Sequence, residues 1–495
     1  MKATTLGELK KSGWESVSVK EEIRRNLIKK IKNKEDLFEG ILGYDKTVLP
    51  QIQHALLSKH DMILLGLRGQ AKTRILRMLV NFMDEYIPIV KGSEINDDPL
   101  NPLSKYAKDL VAEKGDDTPI EWLHRSYRYG EKLATPDTTV ADLIGDIDPI
   151  KAATKKLTLA DQNVINFGLI PRTNRGLFVI NELPDLQPRI QVALLNIMQE
   201  RDIQIRGFNV RIPLDVSMAF SANPEDYTNR GNIITPLKDR IDSQIITHYP
   251  KELGIGVDIT RQEAWQEREN GIRIHVPELY REIIEQAAFE ARDSEYVDQK
   301  SGVSTRMTIT ALEQVVSSAE RRAILNDEKE TSVRIADLYH MIPALTGKIE
   351  LVYEGEQEGA INVAKHILGK AVSKTFKRHF PDPQSKAEEQ KDKYKEIMDW
   401  FANGNEINIS DTLSNKHYEK ALSEVEGLKN VLKKYAKEIS KKEYPVWMDF
   451  VLEALHQNSM LSKQDLDDQT LYSDMLGSMF SSLGDFDEEG LDDFE

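Results

Sequence analysis

Lys72 and Thr73 stand together in the run DMILLGLRGQAKTRILRMLV (61–80), six positions after Gly66, a spacing suited to holding a phosphate chain. In the pattern G-x-x-x-x-G-K-[ST] the lysine reaches the β- and γ-phosphates and the hydroxyl ligates magnesium, the roles that fall to Lys72 and Thr73. Ala71 takes the place of the second glycine, where a methyl group is tolerable and a bulky side chain is not. Gly66, Gly69, Gln70 and Ala71 therefore join Lys72 and Thr73 as candidate ATP-binding residues. The alternative is a lysine-threonine pair that merely opens an amphipathic helix.

Further candidates lie at the ends of apolar runs. Leu177 to Ile180 is followed by Asn181 and Glu182, and polar groups at a strand end beside a phosphate loop are where a magnesium ion and an attacking water need partners. Glu182 can polarise the water. Asn181 can accept from a metal-bound water but supplies no charge, which predicts slow hydrolysis. VSMAFSA ends at Asn223, placed to meet the γ-phosphate or the water; PLKDRID carries Arg240 on a short helix, and VSTR carries Arg306 at a helix start. Near the N-terminus, Ile41 and Gly43 suit a pocket for an adenine ring. Each of these has a plain structural alternative: core strands with polar ends, and an Arg306 that faces solvent.

The elements that must position them follow from periodicity. Met62 to Leu65 and the runs ending at Asn181 and Asn223 read as strands buried on both faces, and Thr73 onward as a helix, so 66–72 is a strand-to-helix loop whose N–H groups and dipole favour an anion. DIQIRGFNVRIPLD alternates with period two around Gly207, which predicts a β-hairpin. Residues 86–130 read as a polar, irregular insertion with a helix in LSKYAKDLVAEKG. From Glu252 to about Val372 the chain reads as helical, and again from about Tyr394 to Met460, after a boundary at FPDP. These patterns divide it into a helical leader (1–37), an α/β nucleotide-binding domain (38–250), a helical lid (251–380), a helical C-terminal region (384–480) and an acidic tail (481–495).

Composition bounds the rest. The chain has 495 residues, 40% hydrophobic, and no cysteine, which excludes disulfides, thiolate metal sites and cysteine nucleophiles and fits a cytoplasmic location. No apolar run is long enough to span a bilayer. A formal charge of −16 argues against a nucleic-acid partner held by a general basic surface.

The order of these features resembles the AAA+ ATPases, and the run from LIPRTNRGLFVINEL through NIMQERDIQIRGF to SANPED and PLKDRID, with GSEINDDPLNP, is similar to the magnesium chelatase I subunit and to MoxR-type ATPases. The resemblance spans roughly residues 38–350. It implies ATP and Mg2+ as ligands, Lys72 and Thr73 in Walker A, Glu182 in Walker B with Asn181 at its aspartate position, Asn223 as sensor 1, Arg240 as arginine finger with Arg230 a second candidate, and Arg306 as sensor 2. It further implies a homo-oligomeric ring, a hexamer, with chaperone-like remodelling or metal insertion carried out alongside a von Willebrand A domain partner. A nucleotide-responsive scaffold with little hydrolysis and a DNA-linked remodeller are the competing functions.

Overall fold

The computed structural model describes residues 3–155, 161–205, 211–223, 232–269, 271–385, 393–466 and 469–474. The chain divides into two compact units, Met1–Tyr249 and Pro250–Glu495.

The first unit contains strands β1 (Met62–Leu65), β2 (Tyr86–Val90), β3 (Ile120–His124), β4 (Tyr129–Leu133), β5 (Gly145–Ile147), β6 (Ile165–Phe167), β7 (Gly176–Asn181), β8 (Asp202–Gln204), β9 (Arg211–Pro213), β10 (Val216–Ala222) and β11 (Ser243–Ile246). Five of them form a parallel sheet in the order β11-β1-β10-β7-β4. Both faces of β1, β7 and β10 are covered, which is why these three strands are apolar almost throughout. Leu177 and Val179 of β7 enter one core with helices Val19–Lys32, Val48–Leu57 and Lys72–Met78, while Phe178 and Ile180 enter a second with helix Pro188–Gln199. Helix Val19–Lys32 is tied to the sheet by a buried ion pair, Glu22 with Arg128 at 2.6 Å.

The hairpin forms as β8 paired with β9; its expected turn around Gly207 lies outside the described residues. The insertion is more ordered than its composition suggests. It contains helix Lys105–Lys114 and an antiparallel ribbon of β2 and β3, in which Pro88 sits opposite Trp122.

The second unit is built on helices Glu278–Arg292, Arg306–Leu325, Ala360–His379 and Tyr444–Gln457, which share one core running from Leu279 to Tyr472. It is not wholly helical. Strands β12 (Arg273–His275) and β13 (Glu330–Ser332) pair in parallel, and β14 (Ile407–Ser410), β15 (Leu461–Leu466) and β16 (Gln469–Asp474) form an antiparallel sheet in the order β14-β16-β15. No helix among the described residues is long and apolar enough to cross a membrane. The acidic tail lies outside the described residues.

Candidate functional site

The loop after β1 is fastened on three sides. Gly66 N–H donates to the carbonyl of Ala222 at 3.1 Å, which puts the loop entrance beside Asn223 at the end of β10. A Cβ on Gly66 would run into Thr247 Oγ1 and Gln70 Oε1, so only glycine fits there. Those two atoms also hold each other, Thr247 Oγ1 donating to Gln70 Oε1 at 2.6 Å, and Gln70 is buried. On the outer side Tyr249 OH donates to the Arg68 carbonyl at 2.9 Å.

The segment that carries Ile41 and Gly43 reaches the loop through the next residue. Tyr44 OH donates to the carbonyls of Gln70 at 3.1 Å and His248 at 2.7 Å, and burial pushes this phenol up to about 12, so it stays a donor. Ile41 is buried in the same core as Tyr44, and Gly43 takes a positive φ of 79°.

At the loop's end Ala71 adopts a left-handed conformation and helix Lys72–Met78 begins. Left-handed Gly69 and Ala71 alternate with their neighbours, the kind of turn that aims successive N–H groups at one point. Lys72 is buried, and its ammonium donates to the loop's own carbonyls, to Leu67 at 2.9 Å and to Gly66. The positive charge is thus held at the mouth of the loop.

Thr73 meets β7. Its hydroxyl donates to Asn181 Oδ1 at 3.4 Å, the same oxygen that accepts from Ser221 Oγ at 2.8 Å, while Asn181 Nδ2 donates to Glu131 Oε1 at 2.7 Å. Burial raises the Glu131 carboxyl, but hydrogen bonds from Arg77, Tyr129 and Asn181 and the charge of Arg77 outweigh it and hold the group below the usual carboxylate range. Glu182 follows at φ 54°, ψ 51°, an uncommon conformation for a side chain of this kind, with its N–H donated to Ser221 Oγ at 3.4 Å. Lys72, Thr73, Asn181 and Glu182 are therefore gathered at the carboxyl ends of β1 and β7, outside the sheet, where open parallel sheets bind ligands.

The remaining candidates stand elsewhere. Arg240 is half-buried and held by Gln199 Oε1 at 2.9 Å and the Pro236 carbonyl at 2.8 Å. Arg306, in the second unit, starts helix Arg306–Leu325 with an exposed side chain, and its N–H donates to Ser304 Oγ at 3.2 Å. Arg230 lies outside the described residues. Sequence reasoning did not single out Glu131, Ser221 or Tyr44. Ser221 is one of two serines in the otherwise apolar run VSMAFSA, and nothing in the sequence separates it from Ser217.

The site's oxygen donors, the Thr73 hydroxyl and the Asn181 amide, are hard and neutral and suit Mg2+, which keeps waters and phosphate oxygens among its ligands. Among the described residues no group of three or more His, Asp or Glu could hold a metal ion without such help.

No family model matches the chain, and no curated protein matches it. Among solved structures it is similar to a putative ATPase from Cytophaga hutchinsonii (19% identity, 73% of this chain and 97% of that one, TM-score 0.29). It is also similar to a chain in the complex between subunits BchI and BchD of magnesium chelatase (18% identity, 65% and 98%, TM-score 0.33). A third likeness is to NtrX from Brucella abortus (13% identity, 62% and 58%, TM-score 0.36), so the chain spans under two thirds of that protein.

Proposed function

We propose that the chain is an AAA+ ATPase of the magnesium chelatase I-subunit and MoxR type, which binds ATP with Mg2+ and hydrolyses it as a homo-oligomeric, hexameric ring. The observation that carries this reading is the meeting of Thr73 with Asn181, beside a buried Lys72 held at the loop mouth. In this reading Lys72 exchanges its two carbonyl partners for the β- and γ-phosphates, and the loop N–H groups take the remaining phosphate oxygens. Magnesium, when bound, neutralises phosphate charge. Thr73 and Asn181 face it with oxygen, Glu182 orients and polarises the attacking water, and Asn223 fixes the water or the γ-phosphate from β10. Arg240 serves the site of a neighbouring subunit, where a cation stabilises charge on the transferred group. Arg306 couples nucleotide state to the helical unit, and a von Willebrand A domain protein receives the motion in remodelling or metal insertion. The neutral Asn181 favours one further reading, a nucleotide-responsive scaffold with little turnover.

The test is binding of a fluorescent ATP analogue with Mg2+ to the purified full chain, alongside steady-state ATPase activity. Lys72→Ala is expected to weaken binding by about 10-fold to 100-fold, the loss of a hydrogen bond made by a charged group. Unchanged binding in Lys72→Ala overturns the site assignment; tight, Lys72-dependent binding with no turnover selects the scaffold.

A further inference from the structure

Three neighbouring strands carry one polar row. Tyr129 of β4, Val179 of β7 and Ala219 of β10 all belong to or pack on the core beneath helix Lys72–Met78, and two residues further along each strand, on the same face, stand Glu131, Asn181 and Ser221. The row is continuous: Ser221 Oγ donates to Asn181 Oδ1 at 2.8 Å, and Asn181 Nδ2 to Glu131 Oε1 at 2.7 Å. The carboxylate at its end is clamped. Arg77, on the helix that carries Lys72 and Thr73, grips it through Nε at 2.8 Å and Nη2 at 3.0 Å, and Tyr129 OH adds a third bond at 2.9 Å.

A carboxamide can be turned either way round, and the hydroxyls of Ser221 and Thr73 could donate to an oxygen or accept from an NH2. A carboxylate can only accept. With Glu131 at 2.7 Å, the reversed amide would set two acceptor oxygens against each other, so Glu131 decides that Asn181 offers Thr73 its oxygen. The charge of Glu131 is itself paired with Arg77, which keeps the carboxylate an acceptor facing Asn181.

We infer that Glu131 is a positioning residue of the nucleotide site: held by Arg77, it orients the Asn181 amide so that oxygen faces the metal side. This rests on the reading of Lys72 and Thr73 as the phosphate- and magnesium-binding pair. It has a consequence a merely structural role does not share. Asn181→Asp would bring two carboxylates to hydrogen-bond distance, where both cannot ionise freely. Combined with Glu131→Gln, the same substitution restores one donor amide and one carboxylate with their places exchanged.

The probe is Mn2+, followed by electron paramagnetic resonance on the full chain with a non-hydrolysable ATP analogue, together with analogue affinity in EDTA and the melting temperature of each variant. Glu131→Gln is expected to weaken Mn2+ binding about 10-fold to 100-fold, the usual effect of removing a partner of a metal ligand, with metal-free analogue affinity unchanged. The exchange variant Glu131→Gln/Asn181→Asp is expected to recover Mn2+ affinity, and Asn181→Asp by itself to fall short of it. Wild-type Mn2+ affinity in Glu131→Gln, with analogue binding intact, overturns the role of Glu131 and leaves the phosphate-loop reading standing. Failure of the wild-type chain to bind the analogue overturns both. If Glu131→Gln does not fold, the exchange variant carries the test: recovered affinity supports the inference, and affinity no better than that of Asn181→Asp overturns it.

Discussion

Ala71 is the residue at which the loop after β1 departs from the G-x-x-x-x-G-K-[ST] pattern, and its backbone shows the effect. At φ 57°, ψ 13° it occupies the left-handed region, which costs an L-residue with a Cβ about 1 kcal/mol relative to glycine. Ala71→Gly is therefore expected to stabilise the first unit by about 1 kcal/mol, and Ala71→Val to destabilise it, because a β-branched side chain there is a true outlier; urea denaturation measures both, and a Gly variant weaker than wild type contradicts the strain argument. The placement of Lys72, Thr73, Asn181 and Glu182 was legible in sequence because it is local: each stands directly after an apolar run or within a loop pattern. Glu131 was not. It lies 50 positions before the Asn181 it contacts, and only the pairing of β4 beside β7 makes the two neighbours. Tyr44 was passed over for the same reason, since its partners at Gln70 and His248 are set by folding and not by spacing.

Among elements, the doubly buried strands β1, β7 and β10 announce themselves because both faces are covered and no alternation survives. β2 was hidden by Pro88, which reads as a break but is accommodated in a two-stranded ribbon whose other edge needs no donor. β14 was hidden inside a helical stretch, its signal reduced to buried Ile407 and Ile409 across two positions. Helix Tyr444–Gln457 has a pH dependence that sequence could not suggest. Burial pushes the Asp449 carboxyl up to about 6, against a hydrogen bond from Tyr418 and with the charge of Glu453 adding to the rise. One turn on, burial raises Glu453 too, but Lys463 and bonds from Tyr339, Gln457 and Tyr472 prevail and hold it at about 2. The signs oppose. The folded unit takes up a proton at Asp449 between about pH 4 and about pH 6, so its stability falls as pH rises through that window; the contribution of Glu453 is present above the usual carboxylate range and is lost as pH falls below it. Asn in place of Asp449 keeps an acceptor for Tyr418 OH and for the Ile335 N–H. Asp449→Asn is thus expected to flatten the decline between pH 4 and 6 in urea unfolding followed over pH, and an unaltered slope excludes Asp449 as its source.

At the scale of the whole molecule, the reading requires that no subunit completes a site by itself. Glu182 belongs to the subunit that binds the nucleotide, whereas Arg240 is held by Gln199 and Pro236 on a separate helix and is assigned to the neighbour's nucleotide. Each subunit carries a formal charge of −16, so assembly has to overcome like-charge repulsion, and bound Mg2+ and added salt both weaken that opposition. The two residues can be separated by mixing. Glu182→Gln and Arg240→Ala are each expected to bind ATP and to turn it over poorly. In a mixed ring, an Arg240→Ala subunit retains its own Glu182, and where its neighbour is a Glu182→Gln subunit it receives that neighbour's intact Arg240. Such an interface is complete. Activity that appears on mixing two inactive variants, and that varies with their ratio, is therefore expected if the arginine acts across subunits. Inactivity at every ratio, while pull-down through a tag on one variant recovers both in one assembly, excludes action across subunits; an Arg240→Ala protein that by itself hydrolyses ATP like the wild type places Arg240 outside the reaction and returns the search for the cation to Arg230.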